Sequence, residues 1–246
     1  MLLQPHEALQ FFKVHRTLMF YVNERLQVLP EQIASPEEFA CQPPANRLKV
    51  RDALVGQAIL IESFVNENPT KLSDEELNIV RSWRHFVSGT FYLFRELKNY
   101  TIFLSAEDPP IAYGVTALTE SFGEMLGAPL PVIVRTVLLP FDGKLIFDGL
   151  LSGPGLSVAL GAGIRRELND RYMEAKDRYG IVTSLPVEER PRPVKITLST
   201  KKKRLKVDQT DDIRGIANLI IGMIDEFAES ISTTSTPCCV ESSPRS

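Results

Sequence analysis

The sequence predicts an α+β fold in which an N-terminal helical layer packs on a small antiparallel sheet, with C-terminal helices completing it. Three observations lead there. Apolar residues recur at steps of three and four through the first ninety positions, then at strand spacing from Thr90 onward. An Asp-Gly pair, Asp142-Gly143, separates two apolar strand runs, the strongest short-range hairpin signal. The 246 residues are 43% hydrophobic and 24% charged, an ordinary globular composition with enough length for a sizeable core.

Each element follows in order. Leu9, Phe12, Leu18, Val22, Leu26 and Leu29 outline a helix from His6 to Leu29 that Pro30 ends. Ser35-Pro36-Glu37-Glu38 restarts a short helix, because proline suits a first helical position. Asn46 is expected to cap a long helix reaching Asn66, and Val50, Leu54, Ala58, Ile61 and Val65 form its stripe. Ser73-Asp74-Glu75-Glu76 is a capping box, flanked by the staple pair Leu72 and Leu77; this helix is expected to end at Gly89. Strands are expected at Phe91–Phe94, Tyr100–Leu104, Ala112–Ala117, Val132–Pro140 and Leu145–Leu151. They form a sheet able to curl into a small barrel. A short helix from a Thr119 cap to Gly127 interrupts them, and Ile164–Tyr179 forms a surface helix closed by Gly180.

Four regions result. Residues 1–89 are helical, and 90–185 hold the sheet and the helix 164–179, compact with the first part. A basic hairpin and a last helix fill 186–231. Residues 232–246, rich in Ser, Thr and Pro, read as a disordered tail. No apolar run approaches the roughly 18–20 residues that span a bilayer. Only three cysteines are present, two of them adjacent, so a soluble cytoplasmic protein without membrane contact is expected.

The clearest charge feature is a basic arm: Arg190, Arg192, Lys195, Lys201, Lys202, Lys203, Arg204 and Lys206, with no acid among them. The remaining 20 basic and 31 acidic residues leave the rest of the chain at −11. Such an arm suits phosphates, or docks on the protein's own acidic surface. Gly161 and Gly163 open a helix carrying Arg165 and Arg166, where backbone amides and guanidinium groups suit an anion. Neither G-x-G-x-x-G nor a P-loop is present. Ile213, Ile216, Ile220, Met223 and Phe227 form a heptad-like seam on a helix over 211–231.

Chemistry finds less support. His6, His15 and His85 all precede the only approximate nucleophile elbow, Gly155-Leu156-Ser157-Val158-Ala159, which lacks its last glycine. No metal-ligand spacing occurs, so no metal or cofactor is expected. Asp142 and Asp148 each precede a glycine and read as turn residues.

Trp83-Arg84-His85, Tyr113-Gly114-Val115, Leu138 to Lys144, Phe147 to Leu151, Gly163 to Arg166 and Tyr179 to Pro186 carry a resemblance. Through them the chain resembles a family of uncharacterised prokaryotic proteins over about half its length. That resemblance implies a recurring α+β module and brings no activity with it. The functional expectation is a non-catalytic protein-interaction or regulatory module, more readily than an enzyme. Its partner is an unidentified protein or a second copy, held through helix 211–231. The alternatives are nucleic-acid association through the basic arm and an enzyme or anion binder at the glycine-rich loop 153–166.

Overall fold

The computed structural model of the chain describes residues 2–153 and 162–186. Gly161, the whole basic arm, the helix expected over 211–231 and the tail lie outside the described residues.

Helix α1 spans Pro5–Leu26. Pro5 supplies a preset φ at the first turn, and the Glu7 carboxylate accepts the Gln4 N–H at 2.8 Å. It stops three residues before the expected Leu29 because Gln27 turns left-handed at φ 50°. The Leu29 N–H is then satisfied by Asn23 Oδ1 at 3.0 Å. The buried stripe is Phe11, Val14, Leu18 and Val22, and its Phe11 ring packs on Trp83 and Phe141. Leu9 and Phe12, expected in the core, are instead 72% and 38% exposed. At about 100° per residue they fall on a different face from Phe11 and Val14.

Helix α2 (Pro36–Ala40) is capped by Ser35, whose Oγ accepts the Glu38 N–H at 3.1 Å. The expected helix over 46–66 is two helices, α3 (Pro44–Gly56) and α4 (Ile59–Glu67). Pro44 at the first helical position moves the start ahead of Asn46. Gly56, a poor helix former, is followed by Gln57 at φ −135°, and the break lets α4 bury Ile61, Phe64 and Val65. Helix α5 (Asp74–Ser82) has its capping box: Ser73 Oγ accepts the Glu76 N–H, and the Glu76 carboxylate accepts the Ser73 N–H. It ends at Ser82, followed by a 3-10 turn at Trp83–His85, well before Gly89. Residues 87–89 pair with Leu138, Val137 and Thr136, so ladder hydrogen bonds override the helical pattern there.

Six strands follow: β1 (Val87–Glu96), β2 (Thr101–Ser105), β3 (Ala112–Val115), β4 (Val132–Phe141), β5 (Lys144–Phe147) and β6 (Ile181–Val182). Their order is β5-β4-β1-β2-β3-β6. The Asp142-Gly143 hairpin joins β4 to β5, both residues at positive φ. The sheet is mixed rather than antiparallel, because β6 lies parallel to β3. Helix α7 (Ala162–Tyr179) precedes β6, and such a helical connection can return a strand in parallel where a tight hairpin cannot. The Thr116 N–H donates to the Leu145 carbonyl at 2.7 Å, so the sheet curls until β3 meets β5. Helix α6 (Phe122–Leu126), capped by Ser121 rather than Thr119, puts Phe122 against Phe103 and Phe147.

Strand alternation divides the apolar residues between two faces. Phe91, Leu93, Phe103, Tyr113 and Val115 join one core with α1, α3, α4 and α5. Phe94, Ile102, Leu104 and Ala112 face Leu168, Tyr172 and Ala175 of α7. With helices on both faces, the strands tolerate near-continuous apolar runs.

Candidate functional site

Two polar clusters meet where α1 and α3 approach the turn after β5. The first is closed. Arg51 of α3 is 3% exposed, with its Nε donating to Asp52 Oδ1 at 2.7 Å and its Nη1 to Asp148 Oδ2 at 3.3 Å. Asp148 Oδ1 accepts from Thr136 Oγ1 and from the Leu150 N–H, each at 3.1 Å. Burial pushes the Asp148 carboxyl up to about 6, against the pull of the Arg51 guanidinium. The Leu150 bond is the turn chemistry expected of an Asp-Gly pair, and Gly149 supplies φ +83°. That reading is incomplete, however: Asp148 is also half of a buried ion pair with a residue 97 positions away.

The second cluster is open. His15 and Arg16 of α1, Arg47 of α3 and the edge of Asp148 line a cavity of about 370 Å³, with Leu9, Phe12 and Phe39 among its apolar walls. The His15 ring stacks on Phe11 at 5.2 Å and meets the edge of Trp83 at 5.9 Å. Burial, with Arg47 and Arg51 nearby, lowers its imidazole to about 4, so it is neutral at pH 7. His15 Nε2, Arg16 Nε and Arg47 Nε are all buried without a hydrogen-bond partner. Arg16 pairs through Nη2 with Glu37 of α2 at 3.1 Å. Arg47 has no ion-pair partner among the described residues. Buried polar atoms are normally satisfied, so three orphans around one cavity are a pattern that asks for a cause.

A second depression, of about 510 Å³, runs along Leu2, Leu3, Pro5, Ala8 and Leu118. It shares Leu9 and Phe12 with the first. The two depressions meet at Leu9 and Phe12 on α1, one of them bearing the cationic side chains, and are treated together as one groove. Such a groove is suited to holding an anion by guanidinium contacts and an apolar body by burial.

The residues singled out from sequence fall elsewhere. Gly163 lies within the first turn of α7 rather than before it, and Gly163, Arg165 and Arg166 are exposed. None of them lines the cavities described here. His85 accepts from Arg84 Nε at 3.0 Å. Among the described residues no His, Cys, Asp or Glu cluster could hold a metal, and no helix is long and apolar enough to cross a membrane. The cavity residues were missed although one signal was present: α1 carries more apolar residues than one buried stripe needs. Leu9 and Phe12 are the surplus, and His15-Arg16 continues their face.

No family model, curated protein or solved structure matches the chain.

Proposed function

We propose that the chain is a non-catalytic regulatory or interaction module, cytoplasmic, whose work is binding. The observation that supports this is the groove along α1. It offers exposed apolar side chains and unpaired nitrogen donors side by side, with no nucleophile–base pair among the residues around it. The polar cluster behind it, Arg51–Asp148–Thr136, has its carboxylate engaged on both oxygens and holds β4, the turn after β5 and α3 together. Exposed apolar residues beside a cavity suit recognition.

The test is a nuclear magnetic resonance titration of the full chain with compounds of cationic, neutral and anionic character. Saturable shifts at Leu9, Phe12 and Arg47 with no turnover are expected. Chemical conversion of a bound compound, or no response at the groove to any class, contradicts the reading.

The proposed protein contact through Ile213, Ile216, Ile220, Met223 and Phe227 is tested by truncation after Thr210, which should change oligomeric mass or partner capture. A nucleic-acid role is the second reading, favoured by eight basic residues within 190–206 on a chain otherwise at −11. It requires binding that falls steeply with salt and is lost when Lys201–Arg204 are neutralised.

A further inference from the structure

The groove has one apolar length and one cationic end, and this asymmetry narrows what it can hold. Arg47 decides the sign. Its side chain is partly buried and has no ionic partner among the described residues, and its Nε has no acceptor. Arg51, one turn away, is neutralised by Asp148 and Asp52, and Arg16 is paired with Glu37. The Asp148 oxygens accept from Arg51, Thr136 and Leu150, so they are committed elsewhere. His15 brings an unpaired ring nitrogen without a charge at neutral pH.

A guanidinium left unpaired in a partly desolvated cavity is costly unless an oxyanion completes it. A carboxylate fits, because its two oxygens match the planar fork of arginine. Leaving the cationic end, Leu9 and Phe12 lead into the second depression along Leu2 and Leu118. Such a path suits a flexible hydrocarbon chain.

Building on the binding-module reading, we propose that this groove takes an alkyl carboxylate, with its head at Arg47, assisted by Arg16 and His15, and its chain along Leu9 and Phe12. The same chemistry arises from a free fatty acid in solution or from one held in a bilayer.

The experiment is calorimetric titration of the full chain, paired with resonance assignment of the His15 ring. Decanoate below its micelle concentration is the probe. Decyltrimethylammonium supplies the same tail with the opposite head, and acetate supplies the head alone. Decanoate is expected to bind saturably and to shift the His15 ring, while the other two bind far more weakly. Arg47→Leu should weaken decanoate binding about ten- to a hundredfold, the scale of one charge-assisted hydrogen bond. Leu9→Asp, at a position 72% exposed, should weaken it without unfolding the protein.

Equal binding of decyltrimethylammonium, or undiminished binding by Arg47→Leu, overturns the carboxylate assignment while leaving a binding groove in place. Silence of the groove toward all probes removes both. Phosphatidylcholine vesicles with and without oleate identify the source. Arg47-dependent sedimentation with oleate vesicles points to a membrane-held acid, and binding of monomeric decanoate alone points to a soluble one.

Discussion

Arg47 and Arg51 stand one helical turn apart on α3, yet Arg51 is enclosed by ionic partners and Arg47 has none among the described residues. Arg51 meets Asp148 and Asp52, and through Asp148 it reaches Thr136 of β4 and the backbone of Leu150. Arg47 faces a cavity with its Nε unsatisfied, beside a histidine whose Nε2 is equally unsatisfied. Protein interiors rarely leave polar atoms in that condition. Arg51, buried and fully engaged, serves the fold, whereas the partly buried Arg47 is open to whatever enters the cavity.

The comparison breaks most visibly at the closed cluster. Arg51→Leu should cost roughly 3–5 kcal/mol in urea unfolding because it strands the buried Asp148, whereas Asp148→Leu, which leaves Arg51 paired with Asp52, should cost less. The double variant Arg51→Met with Asp148→Leu should regain most of the Arg51→Leu loss. A double variant as unstable as Arg51→Leu contradicts the assignment of the cost to the stranded charge.

The two faces of α1 give the next largest contrast. Phe11 is fully buried against Trp83 and Phe141, so Phe11→Ala should cost about 3–5 kcal/mol. Phe12→Ala, one residue on and 38% exposed, should cost far less. Equal losses in thermal or urea unfolding would place Phe12 in the core after all.

His15 sharpens the contrast through pH. Its imidazole is lowered from 6.5 to about 4 in the folded state. A depressed folded value means that the unfolded chain takes the proton first, so stability is present above about 6.5 and declines as pH falls toward 4. His15→Phe should abolish this part of the acid sensitivity, seen as a smaller difference between unfolding at pH 7 and pH 4.5 than in the parent. A ring titration midpoint near 6.5 in the folded protein contradicts it.

The smallest effect is expected at the surface. Arg25 pairs with Glu67 and lies over Tyr21, but both charged side chains are roughly half exposed. Arg25→Ala should leave the unfolding midpoint almost unchanged, with less effect still in high salt.

Much of the fold was legible because local chemistry decided it. The Ser73–Glu76 capping box, the Asp142-Gly143 hairpin and Gly180 after α7 each act within a few residues, and each forms as its sequence implies. The α+β class follows from the change of period near residue 90. What sequence could not convey were choices settled between distant segments. Val87–Gly89 joined a strand because β4 offers a ladder, and β6 entered the sheet parallel to β3. On α1 several apolar residues competed for the core, and Trp83 and Phe141 selected Phe11 over Phe12.

The site was less legible than the fold for the same reason. Asp148 reads as a turn residue from its neighbour Gly149, and only folding brings Arg51 to it. Arg47 reads as an ordinary helical cation, and only its lack of an ionic partner among the described residues sets it apart. Gly163, Arg165 and Arg166, which sequence did single out, stand in the open on α7.

The most direct test of the contrast is to measure the unfolding free energies of Arg47→Leu and Arg51→Leu side by side, in the ligand-free protein at pH 7. A loss of roughly 3–5 kcal/mol is expected for Arg51→Leu, and a change within about 0.5 kcal/mol, or a slight gain, for Arg47→Leu. A loss at Arg47 as large as that at Arg51 would show that both arginines serve the fold, and that the open cluster is not held in reserve for a ligand.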